Sequence, residues 1–375
     1  MSVESIDLRS DTLSRPAPAM VQAMTAAGLG DDRYGESTAT RELEEHCAAL
    51  FGKESGLFLP SATMSNQIAL KVLAARGSTV LCETGHHLDQ FAAAAGDLAG
   101  VTVDAVTTHD GFLRPPAAGP AATGLVWTEN TITAHGGRIH PLPLLTSLKA
   151  WSSRHGIPVY LDGARIMHAV VATGIAPAAW AATSDAMSLC FTKGLGAPLG
   201  SVLLGTADFI RAARRYRLWY GGALHQSGPS AAAALWALRH NSARLAEDHA
   251  NAALFAAMLA ESPHFEVTRP DTNIVHVDVS RLHRAPTEFV ARAAETGVRV
   301  LAGRGVPAGR AEIRAVFSSG TPRRLAIRAA ERLIAVAGQC RPTRTLNLGR
   351  VPWWDRIGPS DPVTVSAQAQ SRTWR

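Results

Sequence analysis

Short apolar runs that each end in a small, charged or glycine-rich loop recur between helical patterns, and this alternation most constrains the fold. The runs lie at 79–82, 102–106, 125–127, 158–161, 187–191 and 201–204. Their length and branched or aromatic content predict buried strands. Helical spacing surrounds them. Leu43, Cys47 and Leu50 mark one face of a helix over 40–51 that Gly52 ends, and further helices are predicted over 65–75 and 143–155. Strands alternating with helices imply an α/β fold, with a mostly parallel sheet between helices. Beyond it, long helices are predicted at 227–239 and 244–260, strands at 273–279 and 312–317, and helices at 286–297 and 322–337. That segment reads as a small C-terminal α+β domain. The expected division is a large domain over 1–250 with an N-terminal arm, a small domain over 251–340, and an extended tail over 341–375. Pro342, Pro352, Pro359 and Pro362 break the pattern in that tail.

Composition narrows the function classes. With 375 residues, 46% hydrophobic and 18% charged, the chain has material for two or three packed domains and is not a disordered one. No apolar run approaches the roughly 18 residues that span a bilayer, so no membrane partner is expected. Residues 1–9 already carry Glu4, Asp7 and Arg9, which argues against a secretory signal. The formal charge is +6, and six Arg against two Asp in the last 35 residues supply +4 of it, leaving +2 for the rest. That is no nucleic-acid-binding profile. Cys47, Cys82, Cys190 and Cys340 lie far apart with no C-x-x-C pair, so no metal site is expected and the reading favours a cytoplasmic protein.

In an open parallel sheet, ligands bind beyond the carboxyl ends of the strands. The run at 158–161 delivers Asp162-Gly163-Ala164-Arg165, and the run at 187–191 delivers Thr192-Lys193-Gly194-Leu195-Gly196. Asp162 and Lys193 are one βαβ unit apart, so both are expected on one sheet edge. Lysine is scarce: only Lys53, Lys71, Lys149 and Lys193 occur, against 33 arginines. Ser61 to Asn66 leads from a loop into a helix, where free backbone N–H groups suit a phosphate. His86 and His87 follow the first of the six runs. Pyridoxal phosphate requires such a set: an amine for its aldehyde, an acid for its pyridine nitrogen, a phosphate cup, a flat group against its ring, and an arginine for the substrate carboxylate. Each signal alone has an ordinary explanation. Asp162 suits a turn cap, Ser61 a helix cap, and the two histidines the surface. The basic run from Arg211 to Arg217 reads as a solvated helix face. Their order along one sheet edge gives the combination its weight.

The motifs resemble one family, the low-specificity L-threonine aldolases. They are Ile6-Asp7-Leu8-Arg9-Ser10-Asp11-Thr12, the stretch from Gly30 to Glu36, Leu161 to Arg165, Phe191 to Pro198, Gly221 to Gly228, and Ala243 to His249. The likeness covers about residues 5–335. It implies a fold type I enzyme with a seven-stranded-type sheet, dependent on pyridoxal 5'-phosphate and acting on a small amino acid. It also implies a homo-oligomer, a dimer or a homotetramer built from dimers. By position it implies that Lys193 binds the cofactor covalently and that Asp162 pairs with the pyridine nitrogen. His87 would stack on the ring and serve as the base. Ala62 and Thr63 would present backbone groups to the phosphate, and Ser10, Arg165 and Arg314 would hold the substrate carboxylate.

The departures concern the substrate side. Ile132 stands where the resembled family places a histidine near the substrate hydroxyl. Ala92 replaces a glutamate, Ala62 a glycine and His225 an arginine. The leading expectation is retro-aldol cleavage of a β-hydroxy-α-amino acid to glycine and an aldehyde, in an altered and more apolar pocket. The alternatives are β-elimination or racemisation on the same scaffold, and a non-catalytic protein on a decayed one.

Overall fold

A computed structural model describes residues 4–116, 122–303 and 311–339 of the chain. Seven strands form its main sheet: β2 (Ser55–Leu59), β3 (Thr79–Glu83), β4 (Thr102–Val106), β5 (Thr123–Glu129), β6 (Val159–Gly163), β7 (Ala186–Cys190) and β8 (Ser201–Gly205), after β1 (Ile6–Asp7) at the N-terminus. Their order is β2-β8-β7-β6-β5-β3-β4, parallel from β7 to β4, with β8 antiparallel to both of its neighbours. Every residue of β6 and β7 is buried, as apolar runs covered on both faces must be. One face packs against Leu43, Phe51, Trp180 and Leu235, the other against Leu70, Phe209 and Ala213.

A second, four-stranded sheet has the order β12 (Leu301–Ala302), β13 (Glu312–Val316), β10 (Ile274–Asp278), β9 (Glu266–Val267). The helices Pro286–Glu295 and Arg323–Gly338 supply Phe289, Ala326, Ala330 and Leu333 to its core. The N-terminus belongs to this core as well. β1 pairs in parallel with β11 (Val298–Arg299), Ile6 and Leu8 are buried among its side chains, and the Leu8 carbonyl accepts from Val316 N–H. Glu4 is held by Arg324 and Arg328 at 2.8 and 2.5 Å. The arm therefore starts in the small unit and reaches the main sheet only at Ser10 and Asp11.

Most predicted elements are present with ends shifted by one to three residues; the tail from 341 lies outside the described residues. The short strand β2 and the helix Ile166–Thr173 were not foreseen. The expectation of a solvated basic helix is corrected in part. In the helix Ala207–Trp219, Arg217 is buried against Asp32 at 2.8 Å, and Arg214 reaches the buried Glu44 at 2.6 Å. Burial of both carboxylates recruits the two guanidinium groups inward, which charge counting along one helix cannot reveal.

The loop from Lys193 to β8 depends on Gly200. Its φ is +123°, and an added Cβ would lie 2.6 Å from Cε2 of the buried Phe58. Gly200→Ala should therefore lower stability by roughly 1–3 kcal/mol, measured by denaturant unfolding. An unchanged midpoint would refute this constraint.

Candidate active site

Three neighbouring parallel strands bring polar residues into one row. Glu129 of β5 lies opposite Asp162 of β6, and Asp162 lies opposite Ser188 of β7. Lys193 follows β7 by three residues, in a tight turn that Phe191 and Gly200 close by a backbone hydrogen bond. The residue after it must be small. A Cβ on Gly194 would stand 2.4 Å from Nε2 of the buried His168.

Asp162 is 1% exposed, and both oxygens are engaged. Oδ1 accepts from the Ala164 N–H at 3.0 Å and Oδ2 from Asn66 Nδ2 at 2.7 Å. Asn66 is itself fixed by Tyr160, whose hydroxyl donates to its Oδ1 at 2.9 Å, and its amide lies 3.3 Å from His87 Nδ1. His87 Nδ1 is 4.0 Å from Asp162 Oδ2. The backbone N–H of His87 donates to Glu129 Oε2 at 2.6 Å, and that of Thr133 to Glu129 Oε1 at 2.9 Å. Phe91 stacks on the His87 ring at 4.5 Å and 26°. Burial raises the Glu129 carboxyl above its ordinary value, helped by the charge of Asp162. Burial also lowers the His87 imidazole, against the attraction of Asp162.

Arg165 opens the helix after β6 and points at the N-terminal arm. Its Nε and Nη2 donate to the two oxygens of Asp11 at 2.8 and 2.7 Å, and its Nη1 to Thr133 Oγ1 at 2.9 Å. Asn273, at the start of β10, donates to the same Asp11 at 3.2 Å. Burial works to raise the Asp11 carboxyl, but the charge and hydrogen bonds of Arg165 outweigh it and hold Asp11 far below the usual range. The charge of Lys193 acts on both Asp11 and His87.

The structure thus gathers Lys193, His87, Asp162 and Arg165, with Ser10 next to Asp11 in the arm. Ser10 Oγ accepts from Thr12 N–H and Thr12 Oγ1. Arg314 lies on β13, where its Nη2 donates to the Arg9 carbonyl at 3.1 Å. Ala62 and Thr63 form the first turn of the helix Ala62–Leu73. Ser61 caps that helix by accepting from Met64 N–H at 3.2 Å, and the first-turn N–H groups precede any acceptor within the helix. A depression of about 370 Å³ borders this turn, lined by Ser61, Thr63, Met64, Gln67, Leu98 and Tyr220. Ile132 sits beside Thr133 with no exposed surface. Sequence reasoning missed Asn66, Glu129, Thr133 and Asn273 as partners. Asn66, the last residue of the predicted phosphate loop, carried the only signal. His86, read as a surface residue, is fully buried. The donor set fits pyridoxal phosphate: a buried carboxylate for the ring nitrogen, an imidazole beside it, an amine on the next strand end, and N–H groups at a helix start.

Lys193→Ala should remove the covalent cofactor bond, because Lys53 and Lys149 are engaged with Ser184 and Asp185 and Lys71 with Leu98. Borohydride reduction followed by mass analysis should show the cofactor attached to the wild-type chain and absent from the variant. A reduced adduct on the variant would place the amine elsewhere.

Buried histidines give the fold a pH dependence. Burial depresses His86, His140 and His249 to about 4 and His168 to about 3. His168 Nδ1 and His249 Nε2 lie 2.8 Å apart. The unfolded chain takes up protons near pH 6.5 and the folded chain does not. Stability is therefore complete above about pH 6.5 and declines as the pH falls toward 4. Denaturant midpoints at pH 7.5 and 5 should differ in that direction. Equal midpoints would contradict the buried, neutral histidines.

Comparison with known proteins agrees with this geometry. The family model described as beta-eliminating lyase matches residues 7–281. The low-specificity L-threonine aldolase of Escherichia coli K12 is 39% identical over 293 residues, covering 75% of this chain and 86% of that protein. That of Saccharomyces cerevisiae is 32% identical and covers 80% of each chain. Among solved structures, Leishmania major threonine aldolase superposes with a TM-score of 0.73 at 19% identity, over 88% of this chain and 99% of that one. An aspartate aminotransferase of Rhodobacter sphaeroides gives 0.69 at 18%, over 91% and 95%. This chain is a pyridoxal-phosphate-dependent lyase, a member of the beta-eliminating lyase family to which the low-specificity L-threonine aldolases belong.

Proposed function

We propose that the protein cleaves a β-hydroxy-α-amino acid to glycine and an aldehyde, and runs the reverse addition. The observation that carries this reading is the convergence of Lys193, Asp162 and His87 on one sheet edge, beside the Arg165–Asp11 pair. Identity above 30% to threonine aldolases over most of the chain supports it.

Pyridoxal phosphate, when bound, accepts the electron pair of the broken Cα–Cβ bond. The residues supply everything else. Asp162 holds a proton on the ring nitrogen, its carboxylate kept in place by Asn66 and Ala164. His87 offers an imidazole face, and Ala62 and Thr63 offer backbone N–H groups to the phosphate. Ser10, Arg165 and Arg314 hold the substrate carboxylate and so set which bond at Cα stands across the ring. Arg165 is fit for this because Asp11 and Thr133 fix its plane. His87 is the proposed acceptor of the hydroxyl proton, directly or through water. In this reading residues 1–250 form the cofactor-binding unit, except that the arm up to Leu8 packs on the small unit, and 251–340 form the small one. The assembly is a homo-oligomer. Cys47, Cys82 and Cys190 are buried and unpaired, which supports a cytoplasmic setting; among the described residues no helix is long and apolar enough to cross a membrane.

A second reading, β-elimination or racemisation with Lys193 as the base at Cα, draws on one observation. Ile132, buried and without acid–base chemistry, occupies the place of the hydroxyl-contacting histidine of the resembled family. Incubation with L-threonine, L-allo-threonine and β-phenylserine decides between them. Glycine plus aldehyde supports cleavage, and keto acid or D-amino acid supports the alternative. An apolar site discriminates by only about 1–3 kcal/mol per methylene. The expected profile is thus weak selectivity at the β-carbon and preference for the aryl over the methyl side chain. Sharp selectivity for L-threonine would overturn that profile. Asp162→Asn should retain the cofactor and lose about 10²-fold or more in turnover, because a neutral partner no longer holds the ring proton. Near-normal turnover would assign the acid elsewhere.

A further inference from the structure

One group of buried polar side chains takes no part in the site so far described. Glu83 closes β3, and Asn130 and Thr131 follow β5, its neighbour in the sheet. β5 in turn borders β6, which carries Asp162. His86 lies in the loop after β3, and His135 and His140 in the loop after β5. The group therefore occupies the same carboxyl edge as Asp162, one and two strands further along.

Within it, both ring nitrogens of His86, both of His140, Glu83 Oε2, His135 Nε2, Asn130 Nδ2 and Thr131 Oγ1 are buried without a hydrogen-bond partner. His86, His140, Glu83 and Asn130 have no exposed surface. Native interiors satisfy nearly all such atoms, and each one left bare has the cost of a lost hydrogen bond. The side chains are nevertheless fixed. Glu83 Oε1 accepts from the Thr108 N–H and hydroxyl at 3.1 and 2.9 Å, which leaves Oε2 facing His135 Nε2 at 3.4 Å. The His140 backbone N–H donates to Asn130 Oδ1 at 3.1 Å, and its ring packs on Phe112 at 5.1 Å. Enclosed polar groups with several open valences are where proteins hold ordered water. Among the described residues no set of three His, Cys, Asp or Glu is placed to hold a metal ion, so water rather than a cation fits.

We propose that Glu83, His86, His135 and His140 enclose a buried water site behind His87 and relay the proton that His87 takes in the cleavage reaction, a role that Ile132 has no group to fill. The inference rests on the aldolase reading above. In the step, the hydroxyl O–H bond breaks and its electron pair forms the aldehyde C=O. The Cα–Cβ pair is left on the Cα side. His87 takes the proton, the water and the neutral imidazoles of the cluster exchange it along their hydrogen bonds, and His87 returns a proton to Cα, giving glycine. Nothing is oxidised or reduced. The groups around His86 are Glu83, Asp89, His135 and Asp162; around His140 they are His86 and Arg114. Burial keeps both imidazoles neutral at pH 7, so each has one N–H and one bare nitrogen. That state both takes and gives a proton. The four side chains act through water and are positioning and relay residues, not groups in contact with substrate.

The test has two arms on the holoenzyme. A crystal structure that resolves water should show density bridging the His86, His140 and Asn130 nitrogens; a dry interior overturns the site. Separately, His86→Leu and His140→Leu should lower kcat on β-phenylserine about 10²-fold, with KM and cofactor absorbance unchanged and the pH profile displaced. His86→Gln and His140→Gln bind water but do not titrate, so they should not restore the rate. Full rescue by glutamine with an unchanged pH profile would mean that the water is structural and would overturn the proton-relaying role. A wild-type enzyme that forms no glycine from any β-hydroxy amino acid would overturn the aldolase reading and the role with it, while the density still decides the water site.

Discussion

The buried pair of Arg165 and Asp11 is the contact on which the rest of the site depends. It joins a residue at the start of a helix in the main sheet to one in an arm whose origin lies in the small unit, 154 positions earlier in the chain. Both side chains are almost wholly withdrawn from water. Desolvation of two charges is costly, and only a bidentate fork with its remaining atoms satisfied offsets that cost. Thr133 and Asn273 provide the extra bonds. Removing one partner would strand a buried charge, a loss of about 3–5 kcal/mol, and would also release the plane of the guanidinium. In the proposed reading, stability and substrate orientation therefore rest on the same interaction.

Around that pair the sheet edge is an arrangement of competing charges. Asp162 and Glu129 are neighbours across two strands, and like charges so close oppose joint ionisation. Asn66 and the backbone donors of Ala164, His87 and Thr133 divide the load. Asp162 receives a side-chain amide and one N–H, and Glu129 receives two N–H groups. A bound pyridine nitrogen carrying a proton would add one positive charge to this edge and relieve the repulsion. The carboxylates thus prepare an environment that the cofactor completes.

The substrate side differs in kind from the cofactor side. The lysine, the aspartate and the imidazole beside it are a donor set that fits pyridoxal phosphate. Ile132 and Ala92 withdraw polar groups, while Glu83, His86, His135 and His140 concentrate them a short way along the same edge. The loop after β5, which Ile132 and Arg138 pin by a short bridge, carries both changes. Gly137 makes that bridge possible, since its φ is +69° and an added Cβ would meet Thr272 Oγ1 at 2.5 Å.

The sequence by itself determined the alternation of elements and the placement of Lys193 and Asp162 at neighbouring strand ends of one sheet edge. These are local properties: a buried parallel strand must be apolar throughout, and the residues that follow it must be those the ligand needs. Most strands and helices were legible for the same reason, and the scarcity of lysine left few candidates. Contacts between distant segments were decided only in three dimensions. Nothing in the pattern shows that Asp11 takes up the donors of Arg165, or that Asn273 ties both to the second sheet. Arg214 and Arg217 read as solvated because helix spacing reports charge and not the carboxylates that Glu44 and Asp32 bring from elsewhere. His86 read as a surface residue because two adjacent histidines look polar, whereas the fold buries the first and leaves the second facing the site. Burial is a property of the packed chain, and a side chain's charge state and hydrogen-bond partners follow from burial, so those were left to the tertiary structure.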